Sequence, residues 1–152
     1  MTGAPRLPGL TLDDADRLVQ TALEAGAERG FPPLAVAVID VAGEVIALRR
    51  SDGARPMTSR IAVAKARSAL VSLQPSGALD KMPPGIVAAL QASYGGDFVP
   101  RAGGVLVTEG GVVVGAAGAS GAQSDEDEEA VRTAIDRWQA ERPTGSWKPQ
   151  VG

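Results

Sequence analysis

Apolar and polar positions change period several times along the chain, and each change marks an element. From Thr11 onward Ala15, Leu18, Val19, Ala22 and Leu23 recur at helical spacing, with Thr11 placed to cap and Asp14 three residues on as its capping-box partner. Gly26 and Gly30 are expected to end this helix. After Phe31-Pro32-Pro33, an apolar run over 34–39 stops at Asp40, and Asp40-Val41-Ala42-Gly43 is a turn signal that leads into a second strand over 44–50. Both strands are apolar on both faces for most of their length. That predicts a central sheet covered by helices on one side and by something else, such as another subunit, on the other.

The next polar loop, residues 49–56, gives way to a helix from Thr58 or Ser59 to about Leu73, with Ile61, Ala62, Ala66, Ala69, Leu70 and Leu73 on one stripe. Residues 74–101 are the least regular third, with a short helix expected over 85–93 on Ile86, Val87, Ala89 and Leu90. Compact domains rarely keep so long a connection without a use for it. A second hairpin follows, with runs at 105–108 and 112–117 joined by Glu109-Gly110-Gly111, whose glycines supply the positive φ a tight turn needs. Gly118 to Gly121 read as a glycine-dense exit. Ser124 then caps a last helix to about Arg142, its first turn acidic and its inward face made of Val131, Ala134, Ile135 and Trp138.

The order of elements predicts an α/β (α+β) fold in which an antiparallel sheet from two hairpins is flanked by helices. Residues 1–9 read as a flexible arm, 10–142 as one domain and 143–152 as a tail. At 152 residues, 44% of them hydrophobic, the chain can build a real core, yet aromatics are only 3%, so that core must consist of small aliphatic side chains with closely approaching backbones. The absence of cysteine removes disulfides and thiolate chemistry. The absence of histidine is sharper, because acid–base work then falls to Asp, Glu, Lys, Tyr or water. A net charge of −3 without a basic stripe argues against nucleic acid, and no run reaches the roughly 18 apolar residues of a membrane span. The N-terminal residues lack the apolar core of a signal peptide, so a cytoplasmic location is the expectation.

Several residues are candidates for chemistry. The glycines at 115, 118 and 121 match neither a Walker loop nor the dinucleotide fingerprint, and Asp125 to Glu129 would repel a phosphate at the helix start. Close backbone packing is the simpler reading of those glycines. Asp40, Asp52 and Asp127 all sit at element ends, where catalytic side chains are often held. Lys65 lies on the apolar stripe of its helix: either its stem covers apolar surface while the ammonium reaches water, or its head is held near Asp40 or Asp52 at the rim of a pocket. Tyr94, the sole tyrosine, either packs the irregular loop or turns its phenol to a ligand. Arg49, Arg50, Arg55 and Arg60 cluster around the Asp52 loop and serve either salt bridges between subunits or a ligand carboxylate. No set of residues demands a metal or a cofactor.

Four motifs occur in an order that resembles the GlcG/HbpS-like family of haem-degrading or haem-binding domains. They are Val38-Ile39-Asp40-Val41-Ala42-Gly43, Arg50-Ser51-Asp52-Gly53-Ala54, the helix segment with Ala62, Lys65, Ala66 and Ala69, and Gly103-Gly104 followed by Gly115-Ala116-Ala117-Gly118-Ala119-Ser120-Gly121 and Asp127-Glu128. Leu106 stands where the family usually has a proline. The resemblance implies a profilin-like arrangement over residues 10–140 and an oligomeric, small-ligand-binding protein. Haem enters by resemblance alone, and imidazole ligation is excluded by composition. The ligand is expected against Asp40, Arg49, Arg50, Lys65, Tyr94, Gly118, Ser120 and Gly121. The alternative is histidine-free acid–base catalysis by Asp52, Lys65 and Tyr94 in the same pocket, as in an isomerase, cyclase or hydratase.

Overall fold

The computed structural model describes residues 3–5 and 7–142; the first two residues, Arg6 and the expected tail at 143–152 lie outside the described residues. Helix α1, Leu12–Glu28, begins as its sequence dictates: the Thr11 hydroxyl accepts the Asp14 N–H at 3.1 Å and the Asp14 carboxylate accepts the Thr11 N–H at 3.0 Å. Gly26 does not end it. A Cβ there would stand 2.8 Å from Leu34 Cδ1, so this glycine serves close packing inside the helix, and the left-handed Gly30 marks the exit.

Strands β1 (Ala35–Ile39), β2 (Val45–Arg50), β3 (Gly104–Glu109) and β4 (Val112–Ser120) form one antiparallel sheet in the order β2-β1-β4-β3. Residues 110 and 111, both at positive φ, make the two-residue hairpin turn that their composition predicts. Strand β1 is central and buried on both faces. Val36 and Val38 join the core shared with α1 and α4, whereas Ala35 and Ala37 pack with Ala62, and Ile39 with Ala66, of α2. The second face of the sheet is therefore covered by a helix of the same chain, contrary to the expectation that it would be left to something else. What stays open on that side is the edge strand β2, where Val45 and Leu48 are about two-fifths exposed.

Helix α2, Met57–Ser72, lies unusually near the sheet, and the glycines explain why. A Cβ at Gly118 would collide with the carbonyl oxygen of Ala62, and one at Gly104 with that of Lys65. The buried face of α2 is accordingly built from Ala62, Ala64, Ala66, Ser68 and Ala69, while Leu73, expected on the stripe, is exposed at a left-handed C-cap. The glycine-dense exit proves to be strand: β4 runs through Gly118 to Ser120, and only Gly121 opens the turn.

Residues 74–101 hold the short helix α3, Pro84–Tyr94, between two 3-10 turns. Two buried hydroxyls anchor this segment. Ser68 accepts the Val99 N–H at 2.7 Å, and Ser76 accepts the Gly104 N–H at 2.8 Å while donating to the Arg101 carbonyl at 2.6 Å. Helix α3 itself buries none of its side chains.

Helix α4, Ser124–Glu141, is capped by Gln123 rather than Ser124, with Glu126 as the reciprocal partner. The four inward residues are buried as the period requires. Its C-terminal end meets the start of α1, where Asp14 accepts the Trp138 indole N–H at 3.2 Å and an Arg142 N–H at 3.0 Å. Burial alone would raise the Asp14 carboxyl; hydrogen bonds from Thr11 and Trp138 and the charge of Arg142 together hold it below its ordinary value.

Candidate functional site

The charged residue singled out on α2 is not in water, and it lines neither of the two cavities described below. Lys65 and Asp127 are both almost fully buried, and the ammonium donates to Asp127 Oδ2 at 3.0 Å. The other carboxylate oxygen accepts the Ala122 N–H at 2.9 Å. Burial pushes the Asp127 carboxyl above its ordinary value, against the opposing pull of the Lys65 charge and the Ala122 N–H. Lys65 reaches Asp127 because Gly103 has no side chain: a Cβ there would stand 2.7 Å from Lys65 Cδ and 2.9 Å from its Nζ. The pair ties α2, on one face of the sheet, to the start of α4, on the other. It also fixes the Gly121-Ala122 turn, which makes it a positioning device.

A concavity lies elsewhere on α2. A groove of about 630 Å³ runs between the β1–β2 turn, the C-terminal half of α2 and the end of α3. Leu70, Val71 and Leu73 form its apolar wall, Val113 closes it, and Tyr94 stands at its rim, 45% exposed. Arg67 crosses the groove, donating to the Gly43 carbonyl at 2.9 Å and to Asp97 at 3.0 Å. Tyr94 stacks on Phe98 with ring centroids 6.3 Å apart.

The expected ligand residues are thus distributed over several places. Asp40 holds the β1–β2 turn, accepting the N–H groups of Ala42 at 2.9 Å and Glu44 at 3.0 Å. Arg49 extends to Gln20 of α1 at 2.8 Å, and Arg50 and Asp52 are exposed at the end of β2 and in the loop after it. Gly118 lies under α2, while Ser120 and Gly121 line a second cavity, of about 430 Å³, beside the Gly53-Ala54-Arg55 loop. Of the catalytic candidates, only Tyr94 lines the groove; neither Asp52 nor Lys65 lines either cavity. Arg67 and Asp97 are groove residues with no distinctive sequence signal, because an arginine on a helix and an aspartate in an irregular segment are commonplace. Among the described residues no group of three or more acidic side chains could hold a metal, and no helix is long and apolar enough to cross a membrane.

Together, a four-stranded antiparallel sheet with two helices on one face and one on the other, and open cavities along the single helix, define an α+β architecture. The chain belongs to the family described as haem degrading protein HbpS-like, whose model matches residues 10–136. Among solved structures it is similar to a double mutant of HbpS from Streptomyces reticuli, with 30% identity, a TM-score of 0.76 and coverage of 88% of this chain and 90% of that one. It is also similar to PduOC in a complex with haem, at 26% identity, a TM-score of 0.76, and coverage of 84% and 94%. The Klebsiella pneumoniae protein ORFY shares the fold at 24% identity, with a TM-score of 0.82 and coverage of 93% and 99%. A comparison with curated proteins gives no match.

Proposed function

We propose that this chain is a small-ligand-binding protein whose ligand is a flat, largely apolar organic molecule of the haem type, held in the groove along α2. The observation that carries the reading is the groove itself: its volume is in the range of organic-ligand sites, and its wall is mostly aliphatic, with Arg67 crossing it and Glu44, Tyr94 and Asp97 as its other polar side chains. The likeness to PduOC in its haem complex supports the same class of ligand. Haem brings a redox-active iron and two carboxylates. With no histidine in the chain, the phenol of Tyr94 is the groove side chain suited to the iron, and Arg67 is the cation suited to a carboxylate. Acid–base catalysis by Asp52, Lys65 and Tyr94 has less support, since the lysine is committed to Asp127.

Titration with haem, followed by absorbance near the Soret band, tests this. Saturable binding is expected, weakened about tenfold by Val71→Asp, which puts a charge on the apolar wall. Tyr94→Phe is expected to change the position of the band. Binding that neither substitution alters would remove the groove as the site.

The protein is further read as a homo-oligomer. Val45 and Leu48 form an uncovered apolar shelf beside Val63 of α2, and Arg67 and Asp97 join it to the groove. Light scattering at micromolar concentration is expected to give an assembly, and Leu48→Lys to shift it toward the monomer. A wild-type monomer would end this reading.

A further inference from the structure

The smaller cavity carries an inference independent of the groove. It lies where the first turn of α2 meets the end of β4, lined by Arg55, Met57, Thr58, Ser120 and Gly121 on one side and by Glu126 of α4 on the other. Ser120 is only 7% exposed, and its alternation with Gly118 along β4 turns it to the face that α2 covers. Its hydroxyl makes no hydrogen bond with any described residue. Among those residues no fully buried side-chain nitrogen or oxygen lacks a partner, so this hydroxyl keeps access to solvent, and the cavity it lines supplies that access.

Three groups line the same cavity as the hydroxyl. Helix α2 spans 16 residues and starts on Pro56 with no side-chain cap and no acid in its first turn. The Thr58 hydroxyl does not fill that role, because it donates to the Arg55 carbonyl at 2.6 Å. The Thr58 N–H is met by the same carbonyl at 3.0 Å, which leaves the Met57 N–H as the first-turn donor beside the cavity, with no side-chain counter-group. Arg55 lines the same cavity, and its guanidinium has no ion-pair partner among the described residues. On the far wall, the carboxylate of Glu126 has one oxygen engaged with the Gln123 N–H at 3.1 Å. A multiply charged anion would meet that carboxylate at close range; a single negative charge at the α2 end, with a hydrogen-bond donor turned to Glu126, satisfies both walls.

We propose that the cavity between Arg55, Ser120 and Glu126 binds a small monocarboxylate that carries a hydrogen-bond donor beside its carboxylate. The carboxylate accepts from the Met57 N–H at the start of α2, from the Arg55 guanidinium and from the Ser120 hydroxyl. Glu126 accepts from the donor. The site shares no lining residue with the groove, and binding at one does not require binding at the other.

The experiment is an amide chemical-shift titration of the full chain with L-lactate, acetate and inorganic phosphate in parallel. L-lactate is expected to shift the amides of Met57, Thr58, Ser120 and Gly121 saturably and to bind more tightly than acetate, which lacks the donor. Arg55→Gln is expected to weaken L-lactate about tenfold and Ser120→Ala about fivefold. Glu126→Gln keeps a capping side chain, and it should erase the preference for L-lactate over acetate. Unsaturable or scattered shifts would overturn the site. Affinity unchanged in both Arg55→Gln and Ser120→Ala would overturn it as well, and phosphate binding more tightly than L-lactate would overturn the assigned ligand class. Arg55 is exposed and Ser120→Ala removes a single oxygen, so both variants should fold, as the unshifted amides of α1 and α4 would verify.

Discussion

Asp127→Asn is expected to cost about 3–5 kcal/mol, because it leaves the buried ammonium of Lys65 without its counter-charge. For a chain of this size that lowers Tm by roughly 6–20 °C. Asparagine keeps an oxygen for the Ala122 N–H, so the loss isolates the charge pair from the turn it supports. Lys65→Met removes the other charge while filling similar space. The double variant is therefore expected to be more stable than Asp127→Asn alone, which thermal or urea unfolding of the four proteins in a double-mutant cycle would show. A cost below about 1 kcal/mol for Asp127→Asn would mean that water reaches the ammonium and that the pair behaves as a surface one.

The second large effect is expected at Gly104, where a methyl group would be driven into the carbonyl oxygen of Lys65 and would stand 2.9 Å from the Ser76 hydroxyl. Both obstacles are fixed, one by the helix backbone and the other by hydrogen bonds to Arg101 and Gly104. Gly104→Ala should therefore cost about 3 kcal/mol or more, at or beyond the upper end for overpacking. Gly85 is the matched control. Nothing lies within 4 Å of a Cβ there, and Gly85→Ala in α3 should be neutral or stabilise by up to about 1 kcal/mol. Urea midpoints of the two variants measure the contrast directly. Equal midpoints would show that α2 can retreat from the sheet without loss.

Local pattern was enough to place every strand and long helix within a few residues, because those elements follow from apolar period and turn chemistry. Thr11 with Asp14, and the glycine pair at 110 and 111, are decided by neighbours within three or four residues. The partner of Lys65 could not be found this way. Asp127 is 62 residues distant and sits in a run of acids that all look like solvated first-turn residues; only the path of β4 past Gly103 brings it to the ammonium. Gly118 and Ser120 were legible as unusual but not as strand, since glycine density signals a turn as readily as a surface on which a helix rests. Tyr94 lines the groove and also stacks on Phe98, so its two sequence readings stay side by side. The expectation of one pocket fails for a topological reason: the Asp52 loop is at the N-terminal end of α2 and Tyr94 is beside its C-terminal half, so the helix itself separates them.

The adjacency of α1 and α4 has a kinetic consequence. Asp14 meets Trp138 and Arg142, and Arg17 meets Glu141, so the layer that closes the larger core joins residues more than 120 positions apart. Each hairpin can form from near neighbours, but β1 must then find β4 before that layer has a floor to settle on. Assembly thus waits on a long-distance encounter between two halves that each have their own local structure, and the search for that encounter, more than the formation of any helix, is what sets the pace at which this chain reaches its native state.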